Sequence, residues 1–205
     1  MNWLHNCNAW KWENLRPARA FPDRDEFLAW CVQQSDASQH AVEFGVFQGA
    51  SISFISAERK RMNAEGCLIG FDSFMGLPEE WVDTGGKVKA GHFSTGGVAP
   101  VCPGALFVVG VFSETLPAFE KMMVGSIGFA HVDCDLYSST KSALGFLRNK
   151  MPAGGIIVFD ELLGYPAWQE HEFRALQESG LKCEYIAYCS AGHEQQVAIR
   201  VIGWG

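Results

Sequence analysis

The chain has 205 residues, 48% of them hydrophobic and 19% charged, with a formal net charge of −7. That length suits one domain with a sizeable core. The acidic balance without a Lys/Arg run argues against a nucleic-acid partner, and no apolar stretch approaches the roughly 20 residues a bilayer requires. The Cys count of seven is odd, the residues are scattered, and there is neither a C-x-x-C pair nor a signal peptide. Reduced thiols in a cytoplasmic protein are the expectation.

Residues 1–22 hold Trp3, Trp10 and Trp12 with Lys11, Arg16 and Arg19, and close on Pro17 and Pro22. Such an aromatic, basic leader reads as a lid, as a strap on its own core, or as a homodimer contact. Asp23-Arg-Asp-Glu then opens a helix, its acids placed where the helix dipole favours them. Phe27, Leu28 and Cys31 form the apolar face of that helix.

From there strands and helices alternate. Ala41 to Val46 reads as a strand and Gly49 to Met62 as a helix. Cys67 to Phe71 and Leu106 to Val111 are strands, the second followed by a helix from near Glu114. Ile127 to Val132 is a strand and Tyr137 to Lys150 its helix. Gly155 to Phe159 is a strand and Ala167 to Ser179 a helix. Two last strands, near Cys183–Tyr188 and Gln196–Ile202, are joined by a hairpin turn at Ser190-Ala-Gly-His-Glu. The pattern predicts an α/β domain over residues 1–205, a mostly parallel sheet with helices on both faces and a C-terminal antiparallel hairpin. Ligands of such sheets bind beyond the carboxyl ends of the strands. Residues 73–105, rich in Gly and carrying Trp81, His92 and Phe93, break the alternation. A connection that long is functional or disordered; a substrate loop is expected.

Four strand ends carry chemistry. The first is Glu43-Phe-Gly-Val-Phe-Gln-Gly-Ala-Ser, where Gly45 and Gly49 allow a tight turn that brings backbone N–H groups to a ligand. It is not the G-x-G-x-x-G of a dinucleotide fold, which disfavours a nicotinamide dehydrogenase. The second ends in Asp72, 29 residues after Glu43 and well placed for the hydroxyls of a ribose, with a turn or cap as its alternative. The third and fourth are the acidic clusters Asp133-Cys-Asp135 and Asp160-Glu161. Residues i and i+2 of an extended segment share a face, so His131, Asp133 and Asp135 project together. Converging carboxylates raise each other's pKa unless a cation intervenes, and all-oxygen ligation suits Mg²⁺, Ca²⁺ or Mn²⁺. His131 is a second candidate base, or a structural hydrogen-bonder. Lys141, Trp168 and His171 are further candidates near the pocket, and Trp168 reads equally as core.

These blocks, with Gly70-Phe-Asp-Ser-Phe-Met-Gly-Leu-Pro, Gly110-Val-Phe-Ser-Glu-Thr-Leu-Pro, His131-Val-Asp-Cys-Asp-Leu-Tyr-Ser-Ser-Thr and Gly154-Gly-Ile-Ile-Val-Phe-Asp-Glu, resemble the macrocin O-methyltransferase (TylF-like) family over about residues 41–175. The resemblance implies the Rossmann-like class I methyltransferase fold with a seven-stranded sheet. It implies S-adenosylmethionine and Mg²⁺ as cofactors and a small hydroxylated molecule, such as a sugar, as methyl acceptor. By the same resemblance Glu43, Gly45, Gly49 and Ser51 surround the methionine end of the cofactor. Asp72 holds its ribose and Ser73 lies beside the adenosine. Gly110, Phe112 and Ser113 flank the adenine, and Asp133 also borders the cofactor. Asp133, Asp160 and Glu161 match the family's metal ligands and Asp135 its proposed base. The family often has Asp-Asp where this chain has Asp160-Glu161. This chain is also shorter at its N-terminus than the antibiotic enzymes, so the resemblance does not extend to an antibiotic substrate. A non-catalytic S-adenosylmethionine-binding protein of the same fold is the alternative.

Overall fold

The computed structural model describes residues 3–83, 85–191 and 195–205. In chain order the elements are α1 (Trp3–Asn14), β1 (Arg19–Phe21), α2 (Arg24–Gln33), β2 (His40–Phe44), α3 (Ala50–Arg61), β3 (Leu68–Asp72), β4 (Trp81–Asp83), β5 (Gly86–Val88), β6 (Ala105–Val109), α4 (Phe112–Met122), β7 (Ile127–Val132), α5 (Tyr137–Lys150), β8 (Ile156–Phe159), α6 (Glu172–Glu178), β9 (Leu181–Cys189) and β10 (Val197–Trp204). The main sheet has eight strands in the order β1-β9-β10-β8-β7-β2-β3-β6. Strands β8, β7, β2, β3 and β6 run parallel, while β10 lies antiparallel to both β8 and β9.

The class and its closing hairpin are as expected. The sheet gains an eighth strand because β1 of the leader pairs parallel with β9, Ala20 opposite Tyr188. Three residues are too few to show a period. The last helix starts at Glu172 instead of Ala167. Tyr165 and Trp168 are both buried and hold the preceding segment as a turn, Trp168 N–H donating to the Tyr165 carbonyl at 3.2 Å. Gly192, His193 and Glu194 of the expected hairpin turn lie outside the described residues.

Every residue of β7 is buried, and all but His131 are apolar or glycine. Val42, Phe44, Ala130, Val132, Ile157 and Phe159 pack on one face with Leu144, Leu147 and Leu176 of α5 and α6. Ala41, Phe129, Ile156 and Val158 pack on the other with Phe27, Leu28, Ile52 and Ile55 of α2 and α3. The leader lies on the first of these faces. Trp10 meets Tyr185 at 5.2 Å, Phe173 at 5.3 Å and Trp168 at 6.1 Å between ring centroids. Among the described residues no helix is long and apolar enough to cross a membrane.

Residues 73–105 carry their own order. β4 and β5 form a two-stranded hairpin. Leu77 N–H donates to the His92 carbonyl, and Gly91 N–H returns to the Leu77 carbonyl. Trp81 and Leu77 pack on Leu136, just past the third strand end. Phe93 reaches Phe47 at 5.4 Å. The segment therefore spans from the glycine turn to the acidic cluster.

Candidate active site

The site assembles from the carboxyl ends of β2, β3, β7 and β8. Beyond Phe44 the chain turns through Gly45 (φ +87), Phe47 (φ +49) and Gly49 (φ +85) before α3 begins. Left-handed conformations are routine only for glycine, which explains the two glycines. Ser51 is buried in the first turn of α3. Asp72 governs the shape of this turn. Its Oδ2 accepts from the N–H groups of Val46 and Phe47, each at 2.8 Å, and its Oδ1 accepts from Phe74 N–H at 2.7 Å. An ionised carboxylate offers about four acceptor positions. Asp72 staples the turn through three of these positions. Ser73 Oγ accepts from Met75 N–H. Gly110 has φ +144, and Phe112 sets its ring against Phe44 at 5.8 Å while Ser113 follows at the start of α4.

The turn and the acidic segment touch. A Cβ on Gly45 would overlap the Asp133 carbonyl oxygen and stand 2.7 Å from its carbon. Asp133 N–H in turn donates to the Phe44 carbonyl at 2.9 Å. Two residues on, Asp135 has φ +60, and Leu136 N–H returns to the Cys134 carbonyl at 2.6 Å. This closes a tight three-residue turn, a rare and strained conformation outside functional sites.

The carboxylates divide into two environments. Oxygens of Asp133, Asp135 and Glu161 lie within 4.8 Å of one another, and donor atoms of His131, Asp133 and Asp160 form a second such group. Asp160 faces cations: its Oδ1 accepts from Arg24 Nη2 at 2.9 Å and from His131 Nε2 at 3.3 Å. His131 is fully buried, and its Nδ1 contacts Glu43 Oε1 at 2.8 Å. In the parallel register Glu43 and His131 are partners, so they share a face. Burial opposes the imidazolium, but the hydrogen bonds to Asp160 and Glu43 outweigh it and raise its pKa to about 10. A protonated ring donating from both nitrogens has no lone pair to accept a proton. This geometry counts against His131 as the base.

Glu43 is buried beneath the turn, so its side chain supports His131 and leaves the turn's contribution to a ligand to main-chain groups. Lys141 binds the Tyr137 hydroxyl on the outer face of α5. Trp168 packs on Trp10 and Phe173, the core alternative. His171 stacks with Tyr165 at 6.4 Å, and Tyr165 meets Trp81 at 6.0 Å. Sequence reasoning missed Glu172. It is fully buried, its Oε2 accepts from Glu161 N–H at 3.2 Å, and its Oε1 has no hydrogen-bond partner. Glu161 Oε2 is likewise buried without one.

Burial, then the charge of Asp160, pushes Asp133 and Glu161 well above the carboxylate range, and burial and the Asp135 charge do the same to Glu172. Asp135 rises to about 7 through burial and the charges of Asp160, Asp83 and Asp72. Burial would also raise Asp160, but the hydrogen bond and charge of His131, with Arg24, hold it below its usual range. A divalent cation fits the raised set: the donors are all oxygen, and two of the buried oxygens nearby have no partner. A carboxylate whose folded pKa exceeds its unfolded value of about 4 stabilises less as pH rises through that interval. His131, raised above its unfolded value of about 6.5, also loses its contribution as pH rises. The transition of Asp160 lies below about 4 and does not oppose them there. The melting temperature of metal-free protein should therefore fall from pH 5 to pH 7, and a divalent cation should flatten the fall. Melts in chelator and in Mg²⁺ test this; a metal-free profile that is flat or rises would count against it.

A model of the "Methyltransferase domain" family matches residues 42–162, more than half of the chain. Among curated proteins, none matches. Among solved structures, CalS11, a calicheamicin methyltransferase, is similar at 24% identity with a TM-score of 0.65, covering 94% of this chain and 85% of its own. The O-methyltransferase NovP is similar at 21% identity and TM-score 0.60, covering 87% and 79%. TomG from Streptomyces achromogenes, an O-methyltransferase involved in tomaymycin synthesis and solved with S-adenosylmethionine, is similar at 13% identity and TM-score 0.56, covering 100% and 91%. At such identities the likeness is one of fold.

Proposed function

This chain belongs to the methyltransferase-domain family, and we propose that it is an O-methyltransferase moving the methyl group of S-adenosylmethionine to a hydroxyl of a sugar or another small polyhydroxylated metabolite, with Mg²⁺ in its acidic cluster. The observation that carries this reading is the approach of Asp133, Asp135 and Glu161 to within 4.8 Å, directly against the glycine turn. CalS11, which shares the fold, is described as a TDP-rhamnose 3′-O-methyltransferase, and this favours a sugar acceptor.

When bound, the donor supplies an electrophilic methyl group and the cation lowers the pKa of a hydroxyl beside it. The chain's own residues do the rest. Main-chain groups of residues 45–51, held in shape by Asp72, cradle the donor against Asp133. Asp133 would hold the cation under either grouping of the acids, joined by Glu161 in one and by Asp160 in the other. Asp135 takes the hydroxyl proton. A base is most effective with a pKa near the working pH, and Asp135 is pushed up to about 7. The 73–105 segment, through Trp81 and Leu77 over Leu136, excludes water and lines the acceptor side. Fixing donor and hydroxyl in line contributes much of the acceleration, roughly several kcal/mol. The leader acts as a strap over the sheet. The whole is one domain, working on a small molecule in the cytoplasm; a homodimer through the leader is compatible with it.

The test is turnover. Protein with S-adenosylmethionine and Mg²⁺ is incubated with a panel of nucleotide sugars and polyols, and S-adenosylhomocysteine and the methyl ether are followed by mass spectrometry. The expected result is product formation that chelator suppresses at least tenfold. Tight cofactor binding by calorimetry without product across the panel would instead identify a non-catalytic binder.

A further inference from the structure

We propose that the pocket between the end of α3 and the loops entering β3 and β6 binds the phosphate group of a small phosphorylated metabolite, through Arg59 and Lys60. This pocket is separate from the methyl-transfer site. α3 starts at the glycine turn and ends at the pocket, and its 12 residues span about 18 Å.

The pocket has a volume of about 340 Å³, within the range of small-molecule sites. Side-chain to main-chain hydrogen bonds fix its walls. Ser56 Oγ donates to the Pro103 carbonyl at 2.9 Å and pins the loop before β6 onto α3. That loop approaches so closely that a Cβ on Gly104 would stand 3.0 Å from Ser56 Oγ. Arg59 Nη2 donates to the Gly66 carbonyl at 2.7 Å and to the Gln39 carbonyl at 3.0 Å, and so pins the loop before β3.

Arg59 is the residue that points to a ligand. It lines the pocket, is only 4% exposed, and its Nη1 has no hydrogen-bond partner. Burial lowers its pKa, yet a guanidinium stays charged in a protein. A buried cationic nitrogen without an acceptor is costly. Basic residues in the last turn of a helix ordinarily serve its dipole from the surface, and Arg61 there pairs with Glu58. Arg59 is instead drawn inward. Lys60 beside it is exposed, lines the same pocket, and has no salt bridge among the described residues. The pocket thus presents two cations and, among the described residues, no Asp or Glu, in a chain of net charge −7. That balance suits a dianion, and the guanidinium fork matches phosphate oxygens. A phosphate fills only part of the space. Ala64, Leu68 and Pro103 leave an apolar wall for the remainder of an ester.

Calorimetry on the full chain at constant ionic strength compares inorganic phosphate, glucose 1-phosphate and acetate, with S-adenosylmethionine as a control for the donor site. Phosphate and the ester should bind, the ester more tightly, and acetate should not. Lys60→Glu changes an exposed side chain and should weaken the ester roughly tenfold, leaving S-adenosylmethionine affinity unchanged. Arg59→Lys keeps the charge but loses the fork and should weaken the ester at least as much, with melting curves as a check on folding. An ester that binds no more tightly than phosphate would overturn the ester in favour of free phosphate. A parent protein that binds neither at millimolar concentration, acetate binding as tightly as phosphate, or undiminished binding by folded Lys60→Glu would overturn the site.

Discussion

Gly45→Ala is expected to abolish cofactor binding and lower the melting temperature together. The position has φ +87, and a left-handed backbone costs an L-residue about 1–2 kcal/mol. The larger effect is steric. The added methyl would overlap the main-chain carbonyl of Asp133, with no flexible side chain to move aside. Relief requires the ends of β2 and β7 to separate, although Asp133 N–H and the Phe44 carbonyl tie them at 2.9 Å. Overpacking of this kind adds about 1–3 kcal/mol. Together the two effects predict a fall of roughly 5–15 °C for a domain of this size. Because the turn and Asp133 move as one, Mn²⁺ affinity should fall as well. Calorimetry with S-adenosylmethionine and with Mn²⁺, alongside melting curves, reads all three. A variant with parental stability and cofactor affinity would show that the turn and the acidic segment are not in contact.

That coupling was only half legible in the sequence. The strands β2, β3, β7 and β8 read clearly because both of their faces are buried and their residues are mostly apolar. The acids at their ends followed from alternation, which correctly put His131 and Asp133 on one side. Their partners did not follow. Arg24 reaches Asp160 across 136 residues of sequence, and spacing carries no trace of a contact between separate elements. The hold of Asp72 on the glycine turn was not legible beyond a general turn or cap alternative, because the N–H groups it accepts from belong to the main chain and have no sequence signature. Glu172 carries no spacing signal in the sequence; its complete burial sets it apart. The leader helix α1 was missed for a related reason. Its apolar residues do not fall into one stripe, and Trp10 is held by aromatic rings from α6, β9 and the turn before α6.

The second large effect concerns Asp133, which belongs to both carboxylate groupings and is a ligand whichever of them holds the cation. Asp133→Asn keeps the shape and removes the charge. Loss of a metal-centred charge interaction worth several kcal/mol lowers turnover by about 10²–10⁴-fold. Stability should move the other way. Burial and the charge of Asp160 hold the Asp133 pKa well above the carboxylate range, so its ionised form is disfavoured in the folded chain. Removing that group should raise the metal-free melting temperature near neutral pH, where folding must either protonate Asp133 or bury its charge. A faster-melting, inactive variant would mean that Asp133 serves only the fold, and undiminished turnover at saturating Mg²⁺ would sink the metal role. An enzyme that becomes more stable as it loses activity is the signature of a site whose carboxylates are crowded for the sake of a cation.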